Sequence, residues 1–126
     1  MTEHEKLVMR NIIYAVETGG QVYGQKDYAD FTEAYTNSSS EHAITIGAGQ
    51  WYGNEARTLL LNIKSADAAT FKKYDNAGVA SDLTKTDWSN YRISKTSAKA
   101  KAIVKIIDSA VGHRCQDKLV DTQRLM

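Results

Sequence analysis

An apolar stripe cut short by a glycine pair commits the N-terminus of this chain to one amphipathic helix. Val8, Ile12, Ala15 and Val16 recur at helical spacing, Ile13 lies one turn before Glu17, and Thr18-Gly19-Gly20 stops the pattern. Thr2 followed by Glu5 is a capping-box signature at its start. Such a helix gains most of its stability by laying its apolar face on a core. It also delivers one carboxyl, Glu17, to the end of that face, where burial can raise a carboxyl pKa toward neutrality.

The rest of the chain supplies the core. The stretch from Gln21 to Ser40 carries Tyr28, Phe31, Thr32, Tyr35 and Thr36 and ends in Asn37-Ser38-Ser39-Ser40, and His42–Ile46 reads as a strand. A small hairpin or irregular β-lobe over residues 28–46 accounts for both. Asn54 is placed to cap a helix over 55–64, Ser65 another through Tyr74, and Ser81 a short piece before Thr86. Ser97 opens a longer helix with Ile103, Val104, Ile106, Ile107 and Val111, and Gly112 reads as its C-terminal stop. A last helix holds Cys115, Leu119, Val120 and Leu125. The expected fold is mainly α (α+β): one helical domain over 1–126 with a β-hairpin lobe after the first helix. A chain of 126 residues can bury such a core without staples.

Composition excludes several classes. The single cysteine, Cys115, forbids an internal disulfide, and His4, His42 and His113 stand far apart, so no metal site is expected. No cofactor is expected either, since Gly47-Ala48-Gly49 lacks the full glycine pattern and following Lys of a phosphate loop. No apolar run reaches the roughly 20 residues that span a bilayer, and Met1–Lys6 does not read as a secretory leader. Synthesis in the cytoplasm without a signal peptide is the expectation. Charge is uneven: residues 1–56 hold three Lys/Arg against eight Asp/Glu, and residues 57–126 thirteen against seven. Solvated helix faces explain this, and so does an acidic site beside a basic surface that attracts a polyanion. A non-catalytic, partner-binding helical bundle is the third reading, although the basic residues form no nucleic-acid recognition motif.

Glycoside hydrolysis usually needs a carboxylic acid that stays protonated and, in many enzymes, a carboxylate that stays ionised. Glu17 suits the first role. Asp27, Asp30, Glu33 and Glu41 are candidates for the second, in a polar segment where a carboxylate keeps its charge.

A helix ending in Ala15-Val16-Glu17-Thr18-Gly19-Gly20, then a loop, then Gly47-Ala48-Gly49-Gln50, resembles the lysozyme-like superfamily of goose-type lysozymes and soluble lytic transglycosylases. The likeness extends to the glycosidase domains of endolysins and tail-associated lysins from phages of Gram-positive hosts. It is specific over residues 12–53. It implies a peptidoglycan hydrolase that cleaves between N-acetylmuramic acid and N-acetylglucosamine, with Glu17 as general acid and Gln50 and Gly47 on the floor of the cleft. By position within the motif, Asp30 and Glu41 match the two carboxylates thought to position the attacking water. The implied partner is a peptidoglycan glycan strand, joined by a wall-binding module or subunit, with no nucleic acid and no membrane. The implied place of action is the cell wall, after holin release or on a phage particle. A lytic transglycosylase would use the same glutamate without a water-activating base.

Ala48-Gly49 departs from the family's Leu-Met, and Tyr74-Asp75-Asn76-Ala77-Gly78 resembles its Tyr-Asn-Ala-Gly motif with an inserted Asp. Tyr91 is the rival for the tyrosine of that motif. Trp51 and Tyr52 suit either sugar stacking or core packing. Tyr23, Tyr28 and Tyr35 are further candidates for the cleft wall, and Trp88 reads as core. His42 is placed to tune Glu41, and Cys115 reads as a small core residue.

Overall fold

Six helices and a small three-stranded antiparallel sheet make up residues 2–17 and 27–123, the part that this computed structural model describes. The first helix, α1 (Glu3–Glu17), starts where the capping box sets it. The Thr2 amide donates to Glu5 Oε1 at 3.2 Å and the Glu5 amide to Thr2 Oγ1 at 3.1 Å. Its inward face differs from the expected stripe. Ile12 and Val16 are exposed, Val16 at 74%, while Tyr14 is fully buried. The cause lies on the partner helix α6 (Ala110–Gln123), which presents Asp117 and Asp121 one turn apart. Arg10 reaches both oxygens of Asp121 at 2.8 and 2.9 Å, and the Tyr14 hydroxyl donates to Asp117 at 2.8 Å. Polar pairing therefore decides which way α1 faces.

The β-lobe follows α1 as expected and contains one strand more. Strands β1 (Phe31–Thr32), β2 (Thr45–Ile46) and β3 (Trp51–Tyr52) pair in that order, with Phe31 opposite Ile46 and Ile46 opposite Trp51. Only the end of the anticipated 42–46 strand joins the ladder. Ile44 instead donates its amide to the Tyr91 carbonyl at 3.0 Å.

Helix α2 (Asn54–Ala66) includes Asn54 as its first residue, with Gly53 at the cap position. The Asn54 side chain serves the 87–89 loop, accepting from the Trp88 amide at 2.7 Å and donating to Asp87 at 3.1 Å. Asp67, and not Ser65, caps α3 (Ala68–Tyr74), accepting from the Thr70 amide at 3.0 Å. Ser81 lies inside the short α4 (Val79–Asp82). The first amides of α4 go to Asp75, from Val79 at 2.7 Å and Ala80 at 2.8 Å. The inserted Asp of the Tyr74–Gly78 motif is thus a helix cap. Ser97 caps α5 (Ala98–Ile107) as expected, receiving the Ala100 amide at 3.1 Å. Gly112 does not stop that helix but sits within α6. A Cβ there would lie 2.4 Å from the carbonyl oxygens of Ile106 and Ile107, so glycine lets the α5–α6 corner close.

The core runs between α2, α5 and α6 and continues into the sheet through Ile44, Ile46 and Trp51. Trp88 belongs to it, as expected. No helix among the described residues is long and apolar enough to cross a membrane.

One polar side chain lies at the centre. Gln116 of α6 is fully buried. Its Oε1 accepts the Ala48 amide at 2.8 Å, and its Nε2 donates to the carbonyls of Tyr28 at 3.0 Å and Ile107 at 2.9 Å. Replacing Gln116 with Met should leave three backbone groups without these partners and lower unfolding free energy by about 3 kcal/mol or more. Urea unfolding of the two proteins measures this, and a loss under about 1 kcal/mol would contradict it.

Candidate functional site

The Gly47–Gln50 turn joins β2 to β3 and brings two distant parts of the chain together. Gly47 takes a left-handed φ of 81° and donates its amide to the Asp30 carbonyl at 2.9 Å. Gln50 also has a positive φ, 51°, and this orientation sends its side chain back across the turn. Its Nε2 donates to Asp30 Oδ2 at 2.7 Å and to the Gly47 carbonyl at 3.0 Å. Thr32 Oγ1 adds a longer contact to the same carboxylate oxygen at 3.4 Å. Asp30, Gly47 and Gln50, three residues singled out in the sequence, therefore form one hydrogen-bonded unit.

A cavity of about 470 Å³ opens beside this unit. Asp27 and Asp30 lie along it with Ala29, Phe31 and Val104, and with lysines 95, 101 and 105. Burial pushes the Asp27 carboxyl above its ordinary value, and the charge of nearby Asp30 adds to the effect. Two carboxyls so placed resist simultaneous ionisation, which favours a proton on Asp27.

Other expected residues take other places. Trp51 is fully enclosed, so of its two roles core packing is the one observed. Its indole N–H donates to Gln123 at 3.0 Å, and its ring fills the space that Cβ atoms on Gly47 or Gly49 would need. A side chain at position 49 would meet that ring within 2.6 Å. Tyr52 accepts the His42 amide at 2.7 Å through its hydroxyl. Glu41 ends the 38–41 turn, its carbonyl receiving the Tyr35 amide at 2.8 Å. Among the described residues no hydrogen bond joins its carboxylate to Asp30, Gly47 or Gln50. His42 turns to the Tyr35 hydroxyl at 3.2 Å instead of to Glu41. Glu33 accepts the Lys95 amide at 2.6 Å.

Tyr91 stacks on Trp88 and donates to Asp82, which also pairs with Lys99 at 2.8 Å. It lines a different depression, with Lys85 and Arg92. Tyr35 is exposed and receives Arg92 at 2.9 Å. Tyr74 ends α3, away from this cavity's lining. The Glu17 side chain, the Thr18-Gly19-Gly20 stop, Tyr23 and Leu125 lie outside the described residues. Glu17 itself is the last residue of α1, one turn beyond Tyr14.

Sequence reasoning missed Asp117. Its Oδ1 accepts from Tyr14 at 2.8 Å and from Tyr28 at 2.9 Å, and the Tyr28 ring stacks on His113 at 3.9 Å between centroids. Desolvation and this carboxylate push both phenols well above their ordinary values, so they act as fixed donors. The available signal was the Asp117/Asp121 spacing on α6 opposite Arg10 and Tyr14 on α1. Among the described residues no group of three or more His, Cys, Asp or Glu could hold a metal ion.

Two titrations check this geometry. In an Asp30→Asn variant the Asp27 carboxyl should titrate at lower pH than in the parent, read by carbon-13 NMR; an unchanged midpoint would show the two are not coupled. Asp82 behaves oppositely. Burial opposes its charge, but the hydrogen bonds from Lys99 and Tyr91 outweigh burial and hold its carboxyl below the ordinary value. It therefore stabilises the fold above the unfolded carboxylate pKa, and that contribution disappears as pH falls through the lowered value. Asp82→Asn should cost stability at pH 7 and narrow the gap to the parent near pH 2, in urea unfolding at both.

Compared with known proteins, this chain matches no family model, no curated protein and no solved structure.

Proposed function

We propose that this chain is a peptidoglycan hydrolase that cleaves the glycosidic bond between N-acetylmuramic acid and N-acetylglucosamine. The observation that carries the reading is the 2.7 Å hydrogen bond from Gln50 to Asp30, beside a cavity shared with Asp27. A carboxylate that accepts an amide hydrogen bond is fixed in direction. Asp30 is thereby suited to take a proton from an attacking water. Glu17, at the end of α1, protonates the departing glycosidic oxygen. Gln50 orients Asp30, and the Gly47 turn supports both. With a water between acid and base, the two carboxyls would stand roughly 6.5–9.5 Å apart and the anomeric centre would invert.

The products of purified peptidoglycan decide the reading by mass spectrometry. The parent should give reducing muramic acid ends. Glu17→Gln should lose at least about a thousandfold in rate, and Asp30→Asn roughly a hundredfold, with both variants still folded. Anhydromuramyl ends would make the chain a lytic transglycosylase, with the muramyl 6-hydroxyl in place of water. No glycan products from the parent would remove the enzyme reading and leave a binding domain. Acting on the wall as a phage lysin, freed by a holin or carried on a particle, belongs to the same proposal.

A further inference from the structure

A second cavity, of about 680 Å³, lies where the end of α2 packs beside α6, and it shares no residue with the cavity of Asp27 and Asp30. The end of α2 supplies one wall. From α6 come two rows that helical spacing sets side by side: Val111, Cys115 and Leu119, each four residues on, and Arg114 with Lys118, also four apart. The first row is buried or half-buried; the two cations are exposed. No carboxylate lines this groove, and among the described residues neither cation is in an ion pair. Burial pushes the Cys115 thiol above its ordinary value and the charges of Arg114 and Lys118 oppose it, so both cations act on the groove floor. Arg114 also acts on Asp67, the cap of α3.

The chain carries the complement to this groove on another helix. Met9, Ile12 and Val16 follow one another at spacings of three and four on α1, and they are 37%, 43% and 74% exposed. Glu5 stands one turn before Met9 on the same face, and no basic residue stands in the last turn of α1. The ridge from Met9 to Val16 is about 10 Å long and the row from Val111 to Leu119 about 12 Å, at 1.5 Å of rise per residue. An apolar ridge headed by a carboxylate thus matches, in length and in sign of charge, an apolar row flanked by two cations. The two cannot meet within one molecule, because α1 turns Arg10 and Tyr14 to α6 and holds them there on Asp121 and Asp117.

We propose that the outward face of α1 in one copy of this chain docks in the α2–α6 groove of a second copy. Each copy then offers one ridge and one groove, a head-to-tail contact that closes into a ring or continues as an open chain. One helix face in a groove is a small interface, so assembly depends on concentration. It stands apart from the reaction proposed above, since neither surface includes Glu17, Asp30 or Gln50.

Sedimentation velocity from about 0.01 to 1 mM tests this, a range that brackets weak association. The mass of the parent should rise with concentration. A ridge variant, Met9→Lys with Ile12→Lys, and a groove variant, Arg114→Glu with Lys118→Glu, should each self-associate at least roughly tenfold more weakly. An equimolar mixture of the two retains one intact ridge and one intact groove, so it should form one-to-one dimers and nothing larger. The Cys115 thiol should also react more slowly with a disulfide reagent as the parent assembles, because the ridge covers it. All four substituted positions are exposed, and circular dichroism checks each fold; if the groove variant does not fold, the ridge variant and the thiol protection carry the test. A parent that stays monomeric to 1 mM, a groove variant that associates like the parent, as pairing of α1 on α1 would give, or a mixture that stays monomeric would each overturn the proposal.

Discussion

The amide of Gln116 is the joint on which the site depends. It is buried in α6, where an unpaired amide would cost several kcal/mol, yet each of its polar atoms is used. Oε1 takes the Ala48 amide inside the glycine turn, and Nε2 divides between the Tyr28 carbonyl and the end of α5. The three segments so joined carry Gln50, Asp27 with Asp30, and Lys101 with Lys105. Of the three only α5 is a regular element that holds its own geometry; the strands are two residues each. The sheet is too small for independent stability and takes its shape from what it is bonded to. Apolar packing brings α2, α5 and α6 together, and directional bonds from one glutamine then set where the lobe sits.

The same division of labour explains how the chain handles its acidic residues. Asp82, Asp117 and Asp121 are each tied to donors by side chains from other elements, and so serve the fold. Asp67 and Asp75 cap helices. Asp30 takes its one side-chain amide from Gln50 and keeps an outlook on the cavity, while Asp27 is shifted upward by burial and by its neighbour. Among these aspartates Asp27 and Asp30 are the two that line the cavity. The aspartates are thus divided among helix caps, ties between elements and the lining of the cavity, and the caps and ties lie in the half of the sequence that is basic overall.

How much of this the sequence showed varies with the kind of signal. Local signals read well: the Thr2–Glu5 box, the Ser97 cap and the alternation of helices after residue 54 reflect hydrogen bonds within four residues. The mainly helical fold with a small β-lobe followed from them. Matching a motif singled out Asp30 and Gln50 separately; their hydrogen bond, which the positive φ of Gln50 allows, was not among its readings. What stayed hidden was long-range. Asn54 reads as a cap but serves a loop 34 residues on. Trp51 beside the motif suits either a sugar platform or the core, and what decides between them is that its ring fits under the turn against Gly47 and Gly49. Gln116 breaks the apolar stripe of Gly112, Leu119 and Val120 on α6, and a polar residue in such a stripe was the one clue that a buried polar joint lay there.

The seam between α1 and α6 carries the argument one step further. An apolar seam would let α1 slide by small amounts, because apolar contact is non-directional. This seam is instead pinned by Arg10 on Asp121 and Tyr14 on Asp117, and Tyr28 donates to the same oxygen of Asp117 that Tyr14 uses. Tyr14 stands one turn before Glu17, and Tyr28 lies between Asp27 and Asp30. A single carboxylate on α6 therefore fixes the end of α1 and the start of the acidic loop relative to each other. If an acid on α1 and a base in the loop must straddle one glycosidic bond, their separation has to be held to within about half an ångström. Two short phenol hydrogen bonds to one oxygen give that precision where apolar packing would not, and this accounts for α1 leaving Ile12 and Val16 in solvent to present Arg10 and Tyr14 to α6.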